Sequence, residues 1–395
     1  MSVVKKMHVS NICQKSKTHA ASGGRTEIFM KKTIYILLAA TFVFSGFVFS
    51  GCTSHSTDAG SDTSSYSKII SDSESYTSKN DKEESNLQFY AMDTLMDFTI
   101  YGDSTLLENA RSTITDLESE LSVTDPDSRI YALNKNGSVV LSGASNELMK
   151  NTLDMCSETD GALDISIYPI VKEWGFTTGE YKVPDEETIS GLMTLVDYSK
   201  IQYDESTGEV SLPKGMEIDL GSVAKGFAGQ NVADQLREAG VSSALLSLGG
   251  NVQTIGCKPD GSPWKIAIKN ANGDSPMVVL SIEDQAVVTS GTYERFFEEN
   301  GKKYWHIMDP ATGHPADTGL VSVTVIGDDG FKCDALSTSL FVMGLERAAD
   351  FWASHDDFEA VFMTDSDEIY ITEGLKDRFA LTKEYADMQV SVIER

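Results

Sequence analysis

From Leu87 onward the apolar positions fall into two spacings, one of about 3.6 residues and one of two. Leu106, Ala110, Ile114, Leu117 and Leu121 line one face of a predicted helix over Thr105–Leu121. Helices are likewise predicted over Asn146–Ser157, Glu186–Val196 and Ala224–Ala239, then over Asp334–Met343 and around Leu345–Trp352. Gln88–Tyr101 reads as a strand pair or one long strand. Short strands follow at Lys200–Tyr203, Glu209–Leu212, Glu217–Leu220, Ala244–Leu248, Trp264–Ile268, Val278–Ile282, Leu320–Ile326, Ala360–Met363 and Glu368–Thr372. Strands cluster with helices inserted among them instead of alternating strictly. The expected class is therefore α+β, with mixed or antiparallel sheets and inserted helices, and not a doubly wound sheet. No linker interrupts the chain after Leu87, so residues 86–395 are expected to form one unit.

The pattern before that point is different. Thr53–Ser85 is Ser, Thr, Asp and Lys with almost no apolar residues, too little to build a core, and reads as a flexible linker. Such a segment spans roughly 30 Å, from about 5–6 Å times the square root of residue number. Ahead of it, Met30-Lys31-Lys32 introduces an apolar run from Ile34 to Phe49. That run is short for a bilayer span and suits a signal-peptide core. It ends in Phe49-Ser50-Gly51-Cys52, small residues before a cysteine in the manner of a bacterial lipobox. The expectation is cleavage before Cys52 and lipidation of its thiol, an uncleaved anchor being the alternative. Residues 1–29 then read as an upstream extension, 30–51 as the lipoprotein signal peptide, and 52–85 as lipidated cysteine and linker. The bulk of the protein is expected outside the cytoplasm, held to the membrane by lipid.

Charge narrows the function classes. The chain carries 60 Asp and Glu against 32 Lys and Arg, and most of the leader's charge is basic. A surface this acidic repels phosphate backbones, which argues against nucleic acid as a partner. Any anionic ligand needs a locally built site. Of five cysteines, Cys156, Cys257 and Cys333 lie beyond the lipobox, with neither CxxC nor zinc-type spacing, and are expected to be buried.

Three segments could carry chemistry. In Ile218-Asp219-Leu220-Gly221-Ser222-Val223-Ala224-Lys225-Gly226 a strand runs through a turn into a helix with a lysine in its first turn. The positive end of the helix dipole and Lys225 together suit a phosphate, although neither Walker A nor GxGxxG spacing is present. In Asp334-Ala335-Leu336-Ser337-Thr338, a helix would put Asp334 and Thr338 one turn apart on one face. Hard oxygen ligands so placed suit Mg2+, while the plainer role for Asp334 is a helix N-cap. In Tyr304–Pro315, a strand enters a Pro- and Gly-rich loop and brings His306 and Asp309 to a turn, with imidazole the natural general base.

The joint order of these segments resembles the ApbE family of FAD:protein FMN transferases. The resemblance runs through Met92-Asp93-Thr94, then Gly161-Ala162-Leu163-Asp164-Ile165-Ser166 with Pro169 and Trp174-Gly175-Phe176, then Ile218–Gly226. It continues through Leu248-Gly249-Gly250-Asn251, Thr289-Ser290-Gly291 with Tyr293 and Arg295, His306–Pro315 and Asp334–Thr338. It implies a T-fold-like, two-lobed catalytic unit. It also implies that Met92, Ala162, Leu163, Asp164, Asp219, Lys225, Ile307 and Met308 line a site for FAD. Mg2+ would be held by the Ser222 carbonyl, Asp334 and Thr338, with Ser337 adjacent, and His306 would be the base. Two departures stand out: Asp93 replaces a usual glycine, and Ser122–Thr124 replaces a ring-stacking aromatic that Tyr131 or Tyr168 could supply.

The resemblance implies transfer of FMN from FAD to a threonine of an exported acceptor protein of a redox system, with release of AMP. Two rivals are a Mg2+-dependent FAD pyrophosphatase, using water in place of threonine, and a ligand-binding lipoprotein, which would have no use for His306 and the Asp334–Thr338 set.

Overall fold

The computed structural model describes residues 83–395 apart from 272 and 274. The upstream extension, the signal peptide, Cys52 and nearly all of the linker lie outside the described residues. The expected end of the linker moves, because Glu84 and Ser85 already pair with Tyr101 and Ile100.

The expected strand pair is a hairpin of β1 (Glu84–Ala91) and β2 (Thr94–Tyr101). Helices α1 (Thr105–Leu121), α2 (Arg129–Asn136) and α3 (Ala144–Glu158) follow, with β3 (Ser138–Val140) between the last two. Next come α4 (Tyr168–Glu173), α5 (Glu186–Met193), β4 (Gln202–Asp204) and β5 (Glu209–Ser211). Helix α6 (Ala224–Glu238) leads to β6 (Ala244–Leu248), β7 (Asn251–Ile255), β8 (Trp264–Lys269), β9 (Pro276–Ile282) and β10 (Ala286–Gly291). A hairpin, β11 (Phe296–Glu299) and β12 (Lys302–Trp305), precedes β13 (Leu320–Gly327) and α7 (Gly330–Ala353). The chain closes with β14 (Phe358–Thr364), β15 (Ile369–Thr372), β16 (Phe379–Leu381) and β17 (Val390–Ile393).

Nine strands form one sheet in the order β1-β2-β6-β7-β10-β13-β14-β15-β17, antiparallel throughout except for the parallel pair β15–β17. Because side chains alternate across a strand, each inner strand feeds two cores. Ala244, Leu246, Val288, Val323, Val325, Ala360 and Phe362 pack with the helices on one face. Val287, Ile326, Val361 and Met363 face the other way, against the small sheet β16-β9-β8 with Trp264, Ile266, Val278 and Leu280. The α+β reading therefore holds, with helices on one face and a second sheet on the other.

Two expected elements change. Glu217–Leu220 forms no strand, because its polar backbone is satisfied elsewhere. The Asn134 side chain donates to Ile218 O and accepts from Ile218 N, both at 2.8 Å, and Asp219 N donates to Ile165 O at 3.0 Å. The predicted helix at Asp334 begins four residues earlier, at Gly330, capped by Asp329, whose carboxylate accepts from Lys332 N. Its expected division in two is present: Gly344 has φ 75° and ψ 167°, a break that glycine permits without steric cost. Cys156 and Cys333 are buried as expected, whereas Cys257 is only partly covered.

Candidate active site

One end of the nine-stranded sheet collects the turns that build the site. Ala91 pairs with Thr94, leaving Met92 and Asp93 as a two-residue loop with φ of 49° and 59°, the signs that a type I′ turn needs. Glu118 of α1 holds this turn by accepting from Met92 N at 2.6 Å. Next to it, Gly249-Gly250 closes β6 onto β7, and a Cβ at Gly249 would lie only 1.9 Å from Thr94 Oγ1. The two turns are thus in direct contact, and Gly249 leaves the room they need.

Helices α6 and α7 meet above this end at their first turns. A Cβ at Gly226 would stand 2.2 Å from Gly330 O and 2.5 Å from Asp334 Cβ, so only glycine allows the approach. Across this contact Asp334 Oδ2 accepts from Gly226 N at 2.7 Å. Asp334 is therefore a cap, but of a different helix from the one that contains it. Its carboxylate takes up one of the α6 N-terminal amides that the sequence offered to a phosphate. Lys225, in the same turn, is what remains for a substrate anion.

Asp334 is 5% exposed. Burial pushes its pKa up, while Lys225, the Gly226 amide and Asn251 pull it back. The hydroxyls expected beside it are there. Ser337 Oγ lies 2.7 Å from Ser290 Oγ and donates to Asp334 O, and Thr338 Oγ1 lies 3.3 Å from Ser290 Oγ. Asn251 and Gln253, both buried, line a cavity of about 10 Å³ with Lys225, Gly226 and Gly330. Among the described residues, neither polar atom of the Gln253 amide has a hydrogen-bond partner there. A buried carboxylate with one committed oxygen, flanked by hydroxyls, fits Mg2+, which takes one or two carboxylates and completes its shell with water and substrate phosphate. Ser222 sits in the turn that leads into α6.

His306 follows β12, and the ladder continues through it: its N donates to Arg295 O at 3.1 Å. Its Nδ1 also reaches Arg295 O, at 3.2 Å. A carbonyl only accepts, so Nδ1 carries the hydrogen and Nε2 presents a lone pair. Water reaches the ring, yet protein crowds it on the other sides, with Phe176 edge-on at 6.3 Å. Desolvation, then the charges of Arg295 and Lys225, push its pKa down to about 3. The imidazole is neutral at physiological pH and able to accept a proton.

Of the other two histidines in the fold, His314 lies 3.5 Å from Glu186 and packs on Trp174, and His355 stacks on Phe351 at 4.1 Å. Asp309 is not beside His306 as a catalytic partner. Its carboxylate accepts from Ala311 N and Thr312 Oγ1 and so shapes its own loop.

The remaining expected positions divide into side chains and main chain. Asp219 belongs with Lys225 and Arg295: burial raises its pKa, and the Gly221 amide, Arg295 and Lys225 oppose that. Asp164 has both oxygens engaged, by Ser166 N and Oγ and by Tyr198 N. Ala162, Leu163, Ile307 and Met308 are buried. These five can offer a ligand main chain, not side-chain chemistry. Tyr168 is 4% exposed, so its faces are covered, while Tyr131 keeps a partly open ring.

Arg295, Asn251, Ser290 and Glu118 belong to the site but received no role from the sequence. The first three lie within recognised blocks, and Glu118 carries no local signal, since only the fold brings α1 to the Met92 turn.

A family model described as the ApbE family matches residues 92–362. A relative from Klebsiella pneumoniae named FAD:protein FMN transferase is 39% identical over 224 residues, covering 56% of this chain and 69% of that relative. One of the same name from Treponema pallidum is 31% identical over 291 residues, covering 69% of this chain and 80% of the relative. The crystal structure of the ApbE protein of Thermotoga maritima superposes with a TM-score of 0.70 at 29% identity, covering 74% of this chain and 98% of the other. A histidine-to-glycine mutant of the flavin transferase ApbE from Vibrio cholerae gives 0.66 at 27% identity, covering 74% and 99%.

Proposed function

This chain belongs to the ApbE family, and from that premise we propose that it transfers FMN from FAD to a threonine hydroxyl of an exported acceptor protein, with Mg2+, releasing AMP. The observation that carries the reading is the neutral His306, its Nδ1 held by the Arg295 carbonyl and its ring within reach of the same charges, Arg295 and Lys225, that act on Asp219. The names of the relatives support flavin transfer. Lys225 and Arg295 would orient the pyrophosphate, and His306 Nε2 would take the proton from the incoming hydroxyl. Its oxygen bonds to the phosphorus on the FMN side as the bond to the AMP oxygen breaks. Asp334 and Thr338, with Ser337 and the Ser222 carbonyl alongside, would hold Mg2+, which when bound neutralises pyrophosphate charge. The protein contributes position and charge rather than a covalent intermediate.

A pKa near 3 makes a weak base, but a bound pyrophosphate counters the two cations that depress it and lifts it toward its ordinary range. Attachment through Cys52 outside the cytoplasm, with residues 53–82 as a tether, fits an acceptor that is itself exported.

The test is intact-mass spectrometry of a flavin-acceptor domain after incubation with the protein, FAD and Mg2+. An FMN adduct on threonine that a chelator abolishes is the expected result. FMN and AMP without adduct would point to the pyrophosphatase instead, and intact FAD would leave only a binding protein.

A further inference from the structure

We propose that the Arg295 guanidinium binds the FMN-side phosphate of the substrate and positions it at His306. This rests on the FAD reading above and adds a residue to it.

Arg295 bonds His306 through its main chain, and its side chain reaches the residue that packs on the imidazole. Its carbonyl accepts from His306 N and Nδ1, at 3.1 and 3.2 Å, and so aims Nε2. Its side chain crosses to Phe176 O, to which Nη2 donates at 2.5 Å. Phe176 in turn sets its ring edge-on to the imidazole at 6.3 Å. The guanidinium is thereby anchored beside the base by a single donor, in an exposed residue, and a guanidinium has five N–H groups.

Among the described residues no carboxylate forms an ion pair with it, although the chain carries 60 acidic residues. Most of the other arginines are spent on such pairs or on neighbouring carbonyls; Arg237, for example, bridges Asp234 and Asp284. A fixed, forked cation left open next to a neutral imidazole matches the planar two-oxygen edge of a phosphate. Lys225 stands near enough to act on the same histidine, so the two cations address one anion.

Replacing Arg295 by alanine or lysine keeps the carbonyl that orients His306 and alters only the guanidinium, which makes the test selective. The full chain in detergent is titrated with FAD, FMN and AMP, without metal, by flavin fluorescence or competition, and the pH dependence of kcat/KM is measured with Mg2+ present. Arg295→Ala is expected to weaken FAD and FMN about 10- to 100-fold and to leave AMP unchanged. Arg295→Lys should recover part of the loss, since it restores charge without the fork. The acid limb of kcat/KM should move to higher pH in Arg295→Ala, because one of the cations near His306 is gone while Lys225 remains and Asp219 is freed. A purely structural arginine would lower kcat without moving that limb. If wild type binds FAD and Arg295→Ala binds it equally with the limb unmoved, this assignment fails and the proposed function stands. A loss of AMP instead of FMN would also overturn it. Should wild type bind no FAD even with Mg2+ added, the functional reading itself fails. If the alanine variant does not fold, the lysine variant carries the test, and wild-type FMN affinity there is the refuting result.

Discussion

Replacing Gly226 by alanine tests whether the approach of α6 to α7 holds the metal-type carboxylate in place. The new methyl would sit 2.2 Å from Gly330 O and 2.5 Å from Asp334 Cβ. A carbon and a carbonyl oxygen need about 3.2 Å, so the helices must separate by roughly 1 Å at this point. Main chain, not a flexible side chain, blocks relief. Overpacking of this kind costs about 3 kcal/mol at the upper end of its usual range, against about 1 kcal/mol recovered by alanine's helix propensity. The net, about 2 kcal/mol, corresponds to a fall of roughly 3 °C in Tm for a folded unit of this size. Activity should suffer more than stability. The same movement draws Asp334 away from Gly226 N, now 2.7 Å from its Oδ2, and a misplacement of about 1 Å can cost on the order of 100-fold in rate. The assay pairs a thermal melt with FMN transfer across a Mg2+ series. Gly229→Ala is the control, because its Cβ would first meet Leu248 Cδ1 at 3.3 Å, the end of a side chain and not main chain. Wild-type melting and turnover in Gly226→Ala would show that the helices have slack here and that the reasoning is wrong.

Three other outcomes follow from the same geometry. Asp334→Asn keeps the size of the side chain and an acceptor for Gly226 N but loses the charge, so the rise in Tm expected of the wild type with Mg2+ and FAD should vanish; an undiminished rise removes Asp334 as ligand. The base form of His306 is the deprotonated one and its pKa in the free protein is pushed down to about 3, so its contribution to kcat/KM persists until pH falls toward that value; bound pyrophosphate raises it, and the acid limb of kcat that His306 sets should lie at higher pH than that of kcat/KM. Coincident limbs would contradict this account of the electrostatics. Asp93→Gly should stabilise the protein by about 1 kcal/mol, since Asp93 holds φ 59° in the left-handed region, and an unchanged or lower Tm would mean that the aspartate is compensated locally.

Much of the frame was legible along the chain. Thr105–Leu121 and Ala244–Leu248 are found where periodicity put them, and the break at Gly344 separates the two helical stretches read after Asp334. Strong local periods survive tertiary packing because the face they bury is the face the core requires. Other elements were less readable: α2, β7, β10 and β11 carry no period that registered, and Glu217–Leu220 looked like a strand until Asn134 took its hydrogen bonds.

The sequence by itself determined which residue types the site has, His306, Asp334, Thr338 and Lys225, and their order. It also determined the acidic balance, against which an anionic substrate needs a locally built site. Only the tertiary structure decided what each does for the others. It turned Asp334 from a cap of its own helix into a cap of α6, closed Asp164 onto Tyr198, and brought the Arg295 carbonyl to His306 and its guanidinium to Phe176. These are contacts between residues 11 to 119 positions apart. Sequence spacing carries local geometry, but contacts at that range depend on how sheet and helices pack, and there the roles were set.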